Sequence, residues 1–239
     1  MKKLVLHKWL CAAALSAAAS LSTHAAVVTF EDLLPSGFGE GDTFVSGGLS
    51  FSVPEGPFLG ITQPGFGAVD TAASLASFGN APTGNATQFY AGLSDNFVRM
   101  SSGNGLSLRL SSFDFGFIPP VPTPNSASPG AMIAYWTDIN GSDGLSGFDF
   151  GTADSNGDWA FLRADMSARS FGFGTSTFLS SVTFLACLYD GNGNCNWLAG
   201  NQAQFAIDNI DFELPTPSTW LLAGLGLAGL AVTRRRTAR

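Results

Sequence analysis

Apolar residues recur at every second position in LSFSV (49–53), LSLRLSSFDFGF (106–117), SVTFLACLY (181–189) and QFAIDNIDFE (204–213). A period of two puts alternate side chains on opposite faces of an extended chain, so each run predicts a strand. Clusters rich in Gly, Asn, Asp and Pro separate the runs: PSGFGEGD (35–42), GNAPTGN (79–85), NGSDG (140–144) and DSNGD (154–158). Such residues satisfy the backbone conformations of turns. Between the chain's two ends no window carries a helical apolar stripe, which excludes helical and α/β architectures. The pattern predicts an all-β protein, an antiparallel jelly-roll β-sandwich. Its interior is expected to draw on the 21 phenylalanines of the chain. IPPVPTPNSASPG (118–130) is too proline-rich for a central strand and is expected to be a surface crossing or a lobe-to-lobe link.

Two runs change phase. Leu106, Leu108 and Leu110 give way to Phe113, Phe115 and Phe117, and Phe205 and Ile207 give way to Ile210 and Phe212. An odd step between residues of one face requires a β-bulge or an equivalent kink. The second kink falls at Asp208-Asn209, where it would turn the Asp208 carboxylate away from the regular pleat.

The two ends differ from the middle. MKKLVLHKW, then LCAAALSAAASLS and the small residues of STHAA, form the charged, apolar and cleavage regions of a secretory signal peptide, with the cut expected after Ala25. At the other end stands LPTPSTWLLAGLGLAGLAVTRRRTAR (214–239). A helix from Trp220 to Val232 would be roughly 20 Å long at about 1.5 Å per residue. That is short of a hydrocarbon core of about 30 Å. Arg234, Arg235 and Arg236 would stop it on the cytoplasmic side, with Trp220 at the opposite interface. The expected organisation is a signal helix over 1–25, an extracytoplasmic β-domain over 26–213, and a sorting segment with a short transmembrane helix over 214–239.

Pro215-Thr216-Pro217-Ser218-Thr219-Trp220, a Gly/Leu helix and a terminal arginine cluster, in that order, resemble the PEP-CTERM protein-sorting signal. Thr216 stands where that family usually has Glu. The resemblance implies export through the Sec machinery, recognition and processing by an exosortase, and delivery to the cell surface or extracellular matrix. It also implies a Gram-negative bacterium that makes exopolysaccharide. QFAID, with Gln204 and Asp208, resembles the Gln-Phe-x-x-Asp signature of one PEP-CTERM subfamily, which implies no activity.

Composition narrows the function of the body. Its cations are Arg99, Arg109, Arg163 and Arg169, set against all 18 acidic residues of the chain. So acidic a surface is a poor match for nucleic acid, whose binding depends on Lys and Arg. All lysines and both histidines precede the expected cut. The body therefore lacks the means to build a Ser-His-Asp triad, a Cys-His pair, a Ser-Lys dyad or a histidine zinc site. Cys187 and Cys195 frame CLYDGNGNC, and in an exported protein this pair favours a disulfide, worth about 2–3 kcal/mol for so short a loop.

VVTFEDL near the start of the body and FAIDNIDF at its end resemble carbohydrate-binding jelly rolls of the galactose-binding-like kind. That resemblance implies a structural calcium with Glu31 and Asp208 as side-chain ligands, completed by backbone carbonyls and water. Ca²⁺ takes six to eight oxygens. DINGSDG, DSNGDW and DGNGNC also space oxygen ligands, and Asp154, Asn156, Asp158 and Asp165 follow part of an EF-hand pattern. Trp159 occupies the place that needs glycine, so these loops read mainly as turns. The rings of Tyr90, Tyr135, Trp136, Trp159, Tyr189 and Trp197 are core residues or sugar platforms, with Trp197 the expected exposed one. Tyr135 and Trp136 are adjacent, so at most one of them faces a core.

The expectation is an exported, non-enzymatic surface or exopolysaccharide-matrix protein that is held transiently in the membrane. The alternative is a calcium-stabilised, lectin-like carbohydrate-binding module. A secreted glycosidase is the third reading, since that chemistry needs only two carboxylates.

Overall fold

The computed structural model describes residues 24–59, 65–71, 81–103, 105, 107–120, 126–166, 178–196 and 203–214. Residues 1–23 of the signal segment, Leu106, Trp197 and residues 215–239 of the sorting tail lie outside the described residues. The chain divides into two compact units, and the sheets belong to the one spanning Ala25–Glu213. The expected cut after Ala25 falls within its first strand.

Fourteen strands are described: β1 (His24–Val28), β2 (Ser36–Phe38), β3 (Thr43–Ser46), β4 (Leu49–Ser52), β5 (Phe66–Thr71), β6 (Gln88–Leu93), β7 (Phe97–Ser102), β8 (Arg109–Phe117), β9 (Gly130–Asp138), β10 (Asp143–Asp149), β11 (Leu162–Asp165), β12 (Leu179–Tyr189), β13 (Cys195–Asn196) and β14 (Phe205–Leu214). No helix occurs among the described residues. One sheet runs β11-β8-β14-β6-β5-β2, with β1 also beside β14. The other runs β10-β9-β12-β7-β4-β3, with β13 also beside β12. The two antiparallel sheets form a β-sandwich.

The interior is largely aromatic. From the first sheet, Phe113 meets Phe148 and Phe184 of the second at centroid distances of 5.3 and 5.0 Å, edge to face. Phe117 packs against Phe150 and Trp159, each at 5.2 Å. At the far end Phe30, Phe44, Phe51 and Tyr90 form a second group. Edge-to-face and offset arrangements suit the ring quadrupole, and such pairs contribute beyond the area they bury.

Both phase changes are bulges, and they face each other. Asp208 pairs with Asp114, Asp211 with Ser112 and Phe212 with Leu110. From Asp208 to Asp211 β14 spends three residues while β8 spends two. From Asp211 to Phe212 β14 spends one while β8 spends two. Each strand thus inserts one residue, and the insertions compensate. Leu110, Phe113, Ile207 and Ile210 all stay buried. Asn209 carries the turn, with φ +47°, a left-handed conformation that Asn tolerates better than most residues.

Two expectations are corrected. Ser36–Phe38 lies inside an expected turn cluster yet forms β2, pairing with Gly67–Val69. A three-residue edge strand is held by backbone bonds, so its side chains carry little alternation. Of the proline-rich stretch, residues 118–120 and 126–129 form no strand, and Ile118 is buried rather than on the surface. It joins Phe89, Ala91, Leu93 and Ala206 in a satellite cluster on the outer face of the first sheet.

Cys187 and Cys195 form a disulfide. It closes the hairpin between β12 and β13 and packs against Phe97, Ala131, Ile133 and Leu185. Replacing both cysteines with alanine is expected to cost about 2–3 kcal/mol, from the loop-closure entropy restored to the unfolded chain. Urea denaturation of the variant and of the oxidised parent measures it.

Candidate functional site

The site with the most unusual chemistry lies at the kink of β14. Phe205–Ile207 pair with β6 on one edge of the strand and β8 holds the other, so β1 flanks the same edge as β6 farther along. The end of β1 and the start of β6 therefore meet at the bulge. Glu31, just past β1, accepts the Gln88 backbone N–H at 2.6 Å. Asp208 Oδ2 accepts the Asn85 side-chain amide at 2.6 Å and the Thr87 hydroxyl at 2.9 Å. The structure thus brings both expected calcium ligands to the segment Asn85–Gln88.

Asp208 is fully buried. Its Oδ1 has no hydrogen-bond partner. Burial pushes its carboxyl up to about 6, opposed by the Asn85, Asn209 and Thr87 hydrogen bonds and reinforced by the negative charge of Asp114 across the ladder. Asp114 in turn accepts the Asn209 side-chain amide at 2.8 Å and an Arg163 N–H at 3.0 Å. Arg163 also pairs with Asp211 and donates to the Ser112 hydroxyl at 2.6 Å. A bare, buried carboxylate oxygen is the feature a bound cation would satisfy. Among the described residues no group of three or more acidic, His or Cys side chains converges. A cation here would depend on Asp208 and Glu31 together with neutral oxygens. Their oxygen donors are of the kind calcium takes.

The three oxygen-rich loops are the same turn built three times. Asp138, Asp154 and Asp190 each accept two backbone N–H groups, from the residues two and four places on, at 2.7–3.0 Å. Each carboxyl is held below its usual range, chiefly by the amide four residues on (Ser142, Asp158 and Asn194). Gly141, Gly157 and Gly193 follow at φ +80°, +90° and +80°. The shared signature Asp-x-Asn-Gly is visible in the sequence as a turn motif. Asp165 is not part of this loop but pairs with Ser112 from β11.

The aromatics divide. Tyr90 and Trp159 are core residues, and the Tyr90 hydroxyl donates to Asn96 at 2.6 Å. Tyr135 and Trp136 face opposite sides of β9, and Tyr189 is half-buried and bonded to Asp149. Arg109 pairs with Glu213 at 3.0 Å.

Residues 215–236 match the family model of the PEP-CTERM protein-sorting motif. The chain carries a PEP-CTERM sorting signal. That signal covers the expected motif from Pro215 through Trp220 and the cluster Arg234, Arg235 and Arg236. Among curated proteins the sequence has no match. By structure the chain is similar to a DUF4465 family protein from Bacteroides caccae, at 11% identity and TM-score 0.50, over 79% of this chain and 98% of that one. It also aligns with an arabinose-bound MgGH51 α-L-arabinofuranosidase at 10% identity and TM-score 0.40, over 84% of this chain and 28% of that one. The first likeness concerns the fold alone. The PEP-CTERM motif implies an exported protein recognised by an exosortase and sorted at the membrane toward the cell surface.

Among the described residues no helix is long and apolar enough to cross a membrane. The expected spanning segment of the tail lies outside them.

Proposed function

We propose that the protein is a non-enzymatic component of the cell surface or exopolysaccharide matrix of a Gram-negative bacterium. In this reading the signal peptide directs it through the Sec machinery. Its C-terminal segment holds it in the inner membrane until an exosortase removes the tail. The observation that carries the reading is the sorting motif at 215–236. The absence of lysine and histidine between Ala26 and Glu213 supports a body without common nucleophilic chemistry. Asp208 and Asp114 are paired across the ladder, but Asp208 is buried and bonded to Asn85 and Thr87. That burial favours a structural role for it. The test is deletion of the exosortase: the protein should then stay in the inner-membrane fraction with its tail intact. Normal surface delivery without the enzyme would sink the reading.

A jelly-roll connectivity and a structural calcium belong to the same proposal. Glu31 and Asp208 would hold the ion, which would supply charge compensation rather than catalysis.

The proposal fixes a pH dependence. With chelator present, folded Asp208 takes up its proton near pH 6, whereas an unfolded aspartate does so near its ordinary value of 3.8. The folded carboxyl is raised, so stability increases as pH falls from above 6 toward 4, by about 1–2 kcal/mol once screening is allowed for. The turn aspartates act in a lower window. Their carboxyls are depressed, so their contribution is present above the unfolded value and is lost only as pH falls further. Melting curves between pH 4 and 7.5 in chelator should show this rise, and Asp208→Asn should abolish it. Added calcium should raise the melting temperature most at pH 7.5 and flatten the trend.

A further inference from the structure

The register of the second sheet arranges its outward side chains in rows. Ser50 stands opposite Ser101, Ser101 opposite Ser181, Ser181 opposite Thr137 and Thr137 opposite Asp143. Five strands thus present small oxygen-bearing side chains in one line. With strands about 4.8 Å apart the line is roughly 19 Å long. The next row, two residues along each strand, carries Ser52, Arg99, Thr183, Tyr135 and Leu145 in the same order. Arg99 is exposed, Tyr135 is half-buried and Leu145 is exposed.

These rows form a floor with a wall beside it. Beyond Tyr135 the outer face turns apolar at Phe97, Ile133 and Leu185, with Phe58 and Leu59 packed over them. Phe58 meets Tyr135 edge-on at 5.1 Å and Phe97 at 5.2 Å. Arg99 Nε donates to the Thr183 hydroxyl at 3.4 Å, and Asp143 accepts the Thr137 hydroxyl at 2.7 Å. Arg109 and Arg163 are each bound to a carboxylate, whereas Arg99 sits among hydroxyls.

We propose that this face binds a neutral polysaccharide chain laid across the strands. The Ser50, Ser101 and Ser181 hydroxyls can both donate and accept, as sugar hydroxyls do, while the Thr137 hydroxyl already donates to Asp143. The Arg99 fork reaches adjacent oxygens on one ligand face, and the Phe58 step offers an apolar edge to ring C–H groups. Charge selects among polymers. Within the two rows the described charges are Arg99 and Asp143, which offset each other, while the body as a whole is strongly acidic. A polyanionic chain is repelled by such a body, and a neutral one is not. A membrane or nucleic acid would need several cations, and within the two rows the described residues supply Arg99 alone. The inference deepens the matrix reading and rests on it for where the polysaccharide is met.

The test is affinity electrophoresis of the full chain in mild detergent through gels cast with hydroxyethylcellulose, xylan, galactomannan or alginate. Retardation is expected in at least one neutral gel. Ser181→Arg, an outward substitution that leaves the core untouched, should weaken it at least tenfold without moving the melting temperature, as should Arg99→Ala. Leu162→Ala, at an exposed position on the other sheet, should leave it intact. No retardation in any neutral gel, retardation by alginate alone, or unchanged binding in Ser181→Arg would overturn the inference. Tail variants change cellular delivery but not gel mobility shifts, so failure of the delivery reading and failure of the glycan face give different results.

Discussion

Truncation after Leu214 is expected to abolish stable display at the cell surface while leaving the β-domain folded. The motif match begins at residue 215 and β14 ends at Leu214, so the cut removes the sorting signal and no described strand. The effect should be all-or-none, because without the apolar segment and its arginine stop nothing retains the exported chain for processing. Replacing Arg234, Arg235 and Arg236 with alanine tests the same step more gently. It removes the stop charge while keeping the Pro-Thr-Pro motif. Cell fractionation followed by intact-mass measurement checks both. The parent should appear at the surface lacking its tail, and the truncated chain should appear in the medium. Parent protein recovered from the surface with its tail still attached would contradict processing.

Phe113→Ala is expected to be the most damaging single substitution in the β-domain. Phe113 is fully buried and touches Phe115 in its own sheet and Phe148 and Phe184 in the other. Removing a buried phenyl ring from a packed interior costs about 3–5 kcal/mol, through lost transfer energy and the cavity left behind. Domains of this size have a total stability of about 5–15 kcal/mol. A fall of about 10 °C or more in melting temperature follows, with a matching loss of exported protein. Leu145→Ala on the exposed outer face should change stability by no more than about 0.5 kcal/mol. The contrast between the two separates core packing from general apolar loss.

Phe113 also shows how far the sequence can be read. Its position three residues after Leu110 breaks a period of two, and that break alone announces a bulge in β8. The break from Ile207 to Ile210 announces another in β14. Neither strand says that the two bulges face each other, because Asp208 and Asp114 are far apart in the chain and meet only through pairing. The resemblance pointed to Glu31 and Asp208. Asn85, Thr87 and Gln88, which hold them, were missed because neither the turn cluster ending at Asn85 nor the start of β6 gives a sign of which strand it meets. The Asp-x-Asn-Gly turns and the cysteine pair are local in sequence and so were legible. β2 was not, since an edge strand held by backbone bonds needs no alternation.

The sequence by itself determined the strand faces, the places where they slip phase, the short disulfide loop and the sorting tail. The first three depend on residues within about a dozen positions of one another, and the tail on one contiguous run of sequence. Tertiary structure alone decided that Asp208 is buried with one oxygen bare, and that Ser50, Ser101, Ser181 and Thr137 fall in one line. The reason is physical. The pleat sets which way a side chain points from its own strand, but strand order and register set its neighbours. Those are fixed by the summed packing of the aromatic interior, to which no single segment holds the key.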